Sequence, residues 1–262
     1  MKQTRERIEE IKNHGYQLDF GDVFNHAFEN YKKIAVYAGL VLFVFSVIIG
    51  VLAFGIIASI FGVAALDKTF FESVKLENLS GIFIVLYVII GVLVTAILSP
   101  FTAGFLKMAD CGEKDVAFNV STFFDYYKAP YFKEIFTATL LIGLVSSGLS
   151  TLIELASIEI VGMLFSIVIS FLTFLTIPLI VFGNLKAIEA IQTSFSIVTK
   201  QVWILILLLF VSFIASMVGF IGCCIGIFFT IPFMYSMHYA IYCAIIGIET
   251  ESEIEEIGSD ID

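Results

Sequence analysis

Residues 202–248 read VWILILLLFVSFIASMVGFIGCCIGIFFTIPFMYSMHYAIYCAIIGI, 47 consecutive residues without an Asp, Glu, Lys or Arg. At about 1.5 Å per residue, one helix of that length would reach roughly 70 Å, more than twice the hydrocarbon core of a bilayer. The run must therefore fold back on itself. Its corner is GFIGCCIG, Gly219 to Gly226, where three glycines tolerate a tight turn and small side chains let two helices approach.

Working outward, further charge-free runs occupy 34–66, 80–106, 135–153 and 160–183. With the last run counted twice, the chain has six spans. Its composition agrees: 59% hydrophobic and 15% charged residues, with a mean hydropathy of +1.01, lie outside the range of soluble domains. The fold class expected is an all-α integral membrane protein of six transmembrane helices arranged as three hairpins.

The first run starts only at Ile34, behind six basic and six acidic residues, so the first span is expected to act as the insertion signal, without a cleavable signal peptide. Twelve Lys and Arg fall in the N-terminal segment and in the loops after spans 2 and 4, against only Lys68 and Lys75 on the other side. By the positive-inside rule both termini are cytoplasmic, in a multi-pass protein of the cell membrane. The domains expected are a charged N-terminal segment at 1–15, helical and closed by Gly15, a six-helix membrane domain at 16–248 and an acidic disordered tail at 249–262. That tail holds seven acids and no base, and it supplies most of the net charge of -10. No surface suits nucleic acid.

PFTAGFLK at 100–107 and PLIVFGNLK at 178–186 repeat a pattern of proline, glycine and Leu-Lys. Each odd-numbered span is also preceded by an amphipathic stretch. In the first, Phe20, Val23, Phe24, Ala27, Phe28 and Tyr31 share one helical face, and in the third Ile188, Ile191, Phe195, Val198 and Val202 do. The second, 121–135, is more aromatic and contains Pro130. Such stretches are expected to lie flat at the interface. The even spans carry Ser99-Pro100, Thr176-Ile177-Pro178 and Thr230-Ile231-Pro232, so that Pro100, Pro178 and Pro232 each free a carbonyl that a nearby hydroxyl can satisfy. Together these features describe a threefold parallel repeat.

The stretch SPFTAGFLKMADCGEKDVAFNVSTFFDYYK at 99–128 resembles a broad group of uncharacterised bacterial multi-pass membrane proteins, distantly similar to the membrane domain of glycerophosphoryl diester phosphodiesterases. The resemblance extends over most of 16–248. It implies a six-helix membrane domain and brings no catalytic residues, and no phosphodiesterase domain accompanies it.

Tyr235, His238, Tyr239 and Tyr242 fall at i, i+3, i+4 and i+7 and form a polar aromatic stripe at membrane depth. An ionisable residue there must face protein or a cavity. The stripe reads either as ordinary packing with hydrogen bonds to neighbouring spans or as a ligand-binding or proton-handling surface centred on His238. Ser166, Ser170 and Thr173 mark a helix contact, and Glu154 and Glu159 flank an outer turn. Span 1 has 33 uncharged residues and is either one tilted helix or broken near Gly50, Gly55 or Gly62.

The three histidines, His14, His26 and His238, lie on separate elements, and the four cysteines, Cys111, Cys223, Cys224 and Cys243, lack metal-site spacing. No HExxH, GxSxG or Walker A motif occurs, so neither a metal nor a cofactor is expected. The function expected is a non-catalytic membrane protein that binds or organises envelope components, contacting membrane lipids and a protein partner through its two cytoplasmic ends. The alternative is a transporter or a lipid- or small-molecule-handling protein.

Overall fold

The computed structural model describes residues 2–62, 81–156, 158–222 and 225–248. Among these residues the structure is helical, with no strand. The elements are α1 (Lys2–His14), α2 (Phe20–Phe61), α3 (Ile82–Glu113), α4 (Val120–Phe123), α5 (Tyr131–Leu155), α6 (Glu159–Thr173), α7 (Thr176–Val181), α8 (Ala187–Val198), α9 (Val202–Met217), α10 (Gly226–Thr230) and α11 (Pro232–Ile245). Six stretches are long and apolar enough to cross a membrane, and they belong to α2, α3, α5, α6 with α7, α9 with the turn after it, and α10 with α11. Large apolar side chains cover their outer faces, as at Trp203, 84% exposed, and Ile160, 71% exposed. In water such a surface would be unstable, and in a bilayer it is the lipid contact.

Span 1 is a single helix. Asp19 caps its start by accepting from the Asp22 amide at 2.9 Å, and Gly62, with φ of 61°, ends it. Its 42 residues extend about 63 Å. The first amphipathic stretch, 20–31, is therefore the opening of span 1 itself and not a separate helix lying flat. Nothing between Tyr31 and Ile34 breaks the helix, and Val23, Ala27, Ile34, Ala38 and Val41 continue one buried stripe along it. The other two stretches differ again. Residues 120–131 form α4, a short 3-10 turn and a cis Ala129-Pro130 bond, whereas 187–198 form the separate helix α8. On α8 it is Ala187, Ala190, Ser194 and Ile197 that pack inward, while Ile188 and Phe195 stay exposed.

Consecutive spans 1 and 2, 3 and 4, and 5 and 6 touch, but the most extensive pairings join α3 to α5 and α2 to α11. Spans 4 and 5 barely meet. Between spans 5 and 6 the chain turns where expected: Gly219 and Gly226 lie backbone to backbone, so that a Cβ on Gly219 would fall 2.5 Å from the Ile227 Cα. Cys223 and Cys224, the 67–78 loop and the 249–262 tail lie outside the described residues.

At the end of the bundle that bears both termini, α1 ends at Gly15, whose amide donates to the Ile11 carbonyl at 2.8 Å. Ile8 and Ile11 are buried beneath the bundle. Arg7 Nε donates to the Ile245 carbonyl at 3.3 Å, and Tyr16 donates its hydroxyl proton to the Ile197 carbonyl at 3.1 Å. Burial raises the Tyr16 phenol above its ordinary range, so it stays a donor at any physiological pH.

Candidate ligand cavity

Prolines in three even spans have three different outcomes. Pro100 lies inside the unbroken α3, and the carbonyl it orphans, that of Ala96, receives the Ser99 hydroxyl at 2.8 Å. Pro178 leaves the Phe174 carbonyl without its helical donor, and the regular helical hydrogen bonding of span 4 lapses over Phe174 and Leu175, although both keep right-handed helical dihedrals. Pro232 does the same to Phe228, yet Ile231 keeps helical dihedrals and donates to the Ile227 carbonyl at 2.9 Å, so span 6 runs on, while Thr230 donates to the Ser216 carbonyl of span 5 at 2.6 Å.

The proline-bearing stretches of spans 4 and 6 border one cavity of about 340 Å³. A carbonyl that a proline leaves without its helical donor at membrane depth is tolerated where protein or a cavity surrounds it. Spans 2 and 3 supply Thr102, Leu106, Thr139 and Ile142 to the walls; spans 4 and 6 supply Thr173, Thr176, Tyr235 and His238. Thr102 and Thr173 spend their protons on the Ser99 and Ile169 carbonyls, both at 2.7 Å. Thr176 does not: its Oγ1 is buried with no hydrogen-bond partner. An unpaired hydroxyl in such a place costs free energy, about 1–3 kcal/mol, unless something polar enters beside it. His238 stands against the Phe174 ring, centroids 5.4 Å apart, and neither of its ring nitrogens has a hydrogen bond among the described residues. Tyr235 stacks on Phe105 at 4.7 Å.

The stripe read from the sequence is thus divided. Tyr235 and His238 line the cavity. Tyr239 and Tyr242 are buried in the packing, with the Tyr239 hydroxyl 3.4 Å from Asp110 Oδ1 and the Tyr242 hydroxyl close to Gly183. Of the span 4 hydroxyls, Ser170 and Thr173 border the cavity and Ser166 does not. Glu154 lies in another hollow between spans 2 and 3, with Ser147 and Ser150, and the Glu159 side chain lies outside the described residues.

A polar network at the termini-bearing end has no counterpart in the sequence reading. Asn30, fully buried, donates to the Ala109 carbonyl at 2.7 Å and to Glu113 at 3.3 Å, and accepts from Ser236 Oγ at 2.9 Å. His26 Nε2 lies 3.2 Å from Glu113 Oε2. Asp110, 1% exposed, sits between the ammonium groups of Lys107 at 2.7 Å and Lys114 at 2.9 Å. One signal was available: Asn30 falls on the same stripe as Val23, Ala27 and Ile34, where every other member is apolar and buried.

Cys111 and Cys243 are free thiols, and no cluster of three or more His, Cys, Asp and Glu residues suited to a metal occurs among the described residues. No known protein family, curated protein or solved structure matches the chain.

Proposed function

We propose that this multi-pass membrane protein binds a small molecule drawn from the bilayer inside its helical bundle, as a lipid- or small-molecule-handling protein without catalysis of its own. The observation that carries the reading is the cavity between two proline-bearing spans, with the unpartnered Thr176 hydroxyl and His238 on its wall. Prolines in spanning helices leave carbonyls without helical donors, and free backbone and hydroxyl groups beside a cavity can bond to a ligand. The wall contains no carboxylate, amine or thiol beside His238 to act as a nucleophile or acid-base pair. The resemblance over 16–248, which brings no catalytic residues, accords with this. The protein belongs to the cell membrane with both termini cytoplasmic, a placement supported by twelve Lys and Arg against two.

The test is to extract the protein directly into lipid nanodiscs and identify by mass spectrometry what stays with it. A lipid or small molecule retained at near-equal stoichiometry, and lost on His238→Ala or Thr176→Val without loss of folded protein, supports the reading. Retention of nothing by the native chain would overturn it.

A second reading, an organiser of envelope components, is favoured by α1. That helix buries Ile8 and Ile11 and leaves Glu9, Glu10 and Lys12 exposed beneath the bundle. A stoichiometric protein partner lost on deletion of residues 1–15 or 249–262 would select it.

A further inference from the structure

We infer that the cavity's ligand is a single-chain lipid with an uncharged, oxygen-bearing head, and that it enters sideways from the bilayer between spans 4 and 5. This rests on the binding reading above and specifies both ligand and route.

The route follows from the packing. Spans 1 and 2, 2 and 3, 3 and 4, 5 and 6, and 6 and 1 are each in contact, span 4 also touches span 6, and among the described residues the neighbouring spans 4 and 5 barely meet, which leaves an opening between them. That opening is a cleft of about 510 Å³ between Ile167, Val168 and Phe171 on α6 and Ile206, Phe210 and Phe213 on α9. Ile167, Val168, Phe210 and Phe213 are exposed on the surface that lipid covers. Ser170, Phe174, Met234 and His238 border both the cleft and the inner cavity, so the two spaces meet along the Phe174 and His238 rings.

The chemistry changes along this path. The outer mouth of the cleft is apolar, formed by Ile167, Val168, Phe171, Ile206, Phe210 and Phe213 and suited to a hydrocarbon chain; Ser212 beside it spends its proton on the Leu209 carbonyl at 2.8 Å, and one furrow between two helices accommodates one chain. Past Phe174 hydroxyls and an imidazole join the apolar side chains of the walls: Thr102, Thr139, Thr173, Thr176, Tyr235 and His238. Thr176 is 1% exposed and its oxygen is unpaired, so a polar partner is missing at that point.

Charge and size narrow the head. No Lys, Arg, Asp or Glu borders either space, and a phosphate or carboxylate carried there would lose its hydration without gaining a counter-charge. Neutral hydroxyl, ester and carbonyl groups meet no such penalty and match the donors and acceptors present. The inner volume is about 340 Å³. A cavity of about 150 Å³ holds benzene. The head is therefore of the order of a glycerol ester or a small ring system.

The experiment uses the full chain in phosphatidylcholine nanodiscs containing a monoacylglycerol with a diazirine in its acyl chain. A parallel sample contains the same molecule phosphorylated on its glycerol. After illumination, adducts are located by peptide mass spectrometry. Monoacylglycerol adducts are expected on Phe171, Phe210 and Met234, competed by unlabelled monoacylglycerol and at least ten-fold more abundant than those of the phosphorylated probe. Thr176→Val is expected to reduce the Met234 adduct several-fold while adducts on the outer face of α3 stay constant. Ile206→Trp, which fills the cleft, is expected to abolish it. Equal labelling by the phosphorylated probe, or labelling spread evenly over all lipid-facing helices, would overturn the proposal. So would nanodiscs holding two copies with the cleft unlabelled, which would give the cleft to a second copy of the chain. A water-soluble molecule retained with the cleft unlabelled would overturn this inference and leave the binding reading standing; an unlabelled cleft with nothing retained would remove both.

Discussion

Ser236 donates its hydroxyl proton to Asn30 Oδ1 across 2.9 Å, joining residues 206 positions apart on the last and first spans. The amide of Asn30 reaches on to the Ala109 carbonyl of span 2 at 2.7 Å, so one buried side chain ties three spans together. Interhelical hydrogen bonds in membranes contribute about 0.6–2 kcal/mol each. Asn30→Ala, which removes all of them and strands two partners, is expected to destabilise the protein by about 2–3 kcal/mol. Ser236→Ala is expected to cost about 1 kcal/mol. Thermal unfolding of both variants in the same detergent would check the order, and equal losses would refute it.

Asp110 is the second lock. Its carboxylate is enclosed and held by Lys107 and Lys114, whose side chains are 37% and 35% exposed. Removing the acid from a buried pair is costly, here reduced by the partial exposure of the lysines, and Asp110→Asn is expected to cost about 2 kcal/mol. Lys114→Met should cost less, because Lys107 remains. Comparing melting temperatures of the two variants checks this, and a larger loss for Lys114→Met would contradict the arrangement.

Thr176→Val has an unusual expected sign. Removing an unpaired buried hydroxyl should raise the stability of the ligand-free protein by about 1 kcal/mol. In nanodiscs containing a ligand of the cavity the same change should lower the ligand-induced rise in melting temperature. A structural role alone would move both in one direction.

The glycines separate close packing from idle space. Gly219→Ala would drive a Cβ to 2.6 Å from the Gly226 carbonyl carbon and part the corner between spans 5 and 6, an overpacking cost of about 1–3 kcal/mol. Gly50 has nothing within 4 Å of such a Cβ, and Gly50→Ala in mid-helix should stabilise by about 0.5–1 kcal/mol. Melting curves of the two variants should therefore shift in opposite directions.

The orientation has its own measurement. Asn78-Leu79-Ser80 and Asn119-Val120-Ser121 are glycosylation sequons. In a microsomal insertion assay Asn78 is expected to be modified and Asn119, which caps α4, is not. Modification at Asn119 would invert the topology.

What could be read beforehand followed physical type. Long apolar runs declare spans because hydrocarbon requires them, and the Gly219 to Gly226 corner is legible because a 47-residue run has nowhere else to turn. Ser99 beside Pro100 was readable because both lie within one helical turn. The union of span 1 with its amphipathic beginning was not, since a helix entering a bilayer and one lying on it share the same periodicity. Asn30 with Ser236, and Tyr239 with Asp110, were hidden because pairings over 206 and 129 residues leave no local pattern. His238 and Tyr235 stood out as polar residues at apolar depth, but Thr176 looked like any hydroxyl beside a proline until its oxygen proved to be buried and unpartnered on the cavity wall.

The extensive seam between α2 and α11 also sets a schedule for biogenesis. The first span to leave the ribosome carries Asn30, yet its principal neighbour is the last to be synthesised. Until then that amide has no Ser236 hydroxyl to accept from. Nascent chains truncated before Pro232 should accumulate with span 1 lacking its span 6 partner and be preferred substrates for membrane quality-control proteases, so only chains that carry span 6 escape them.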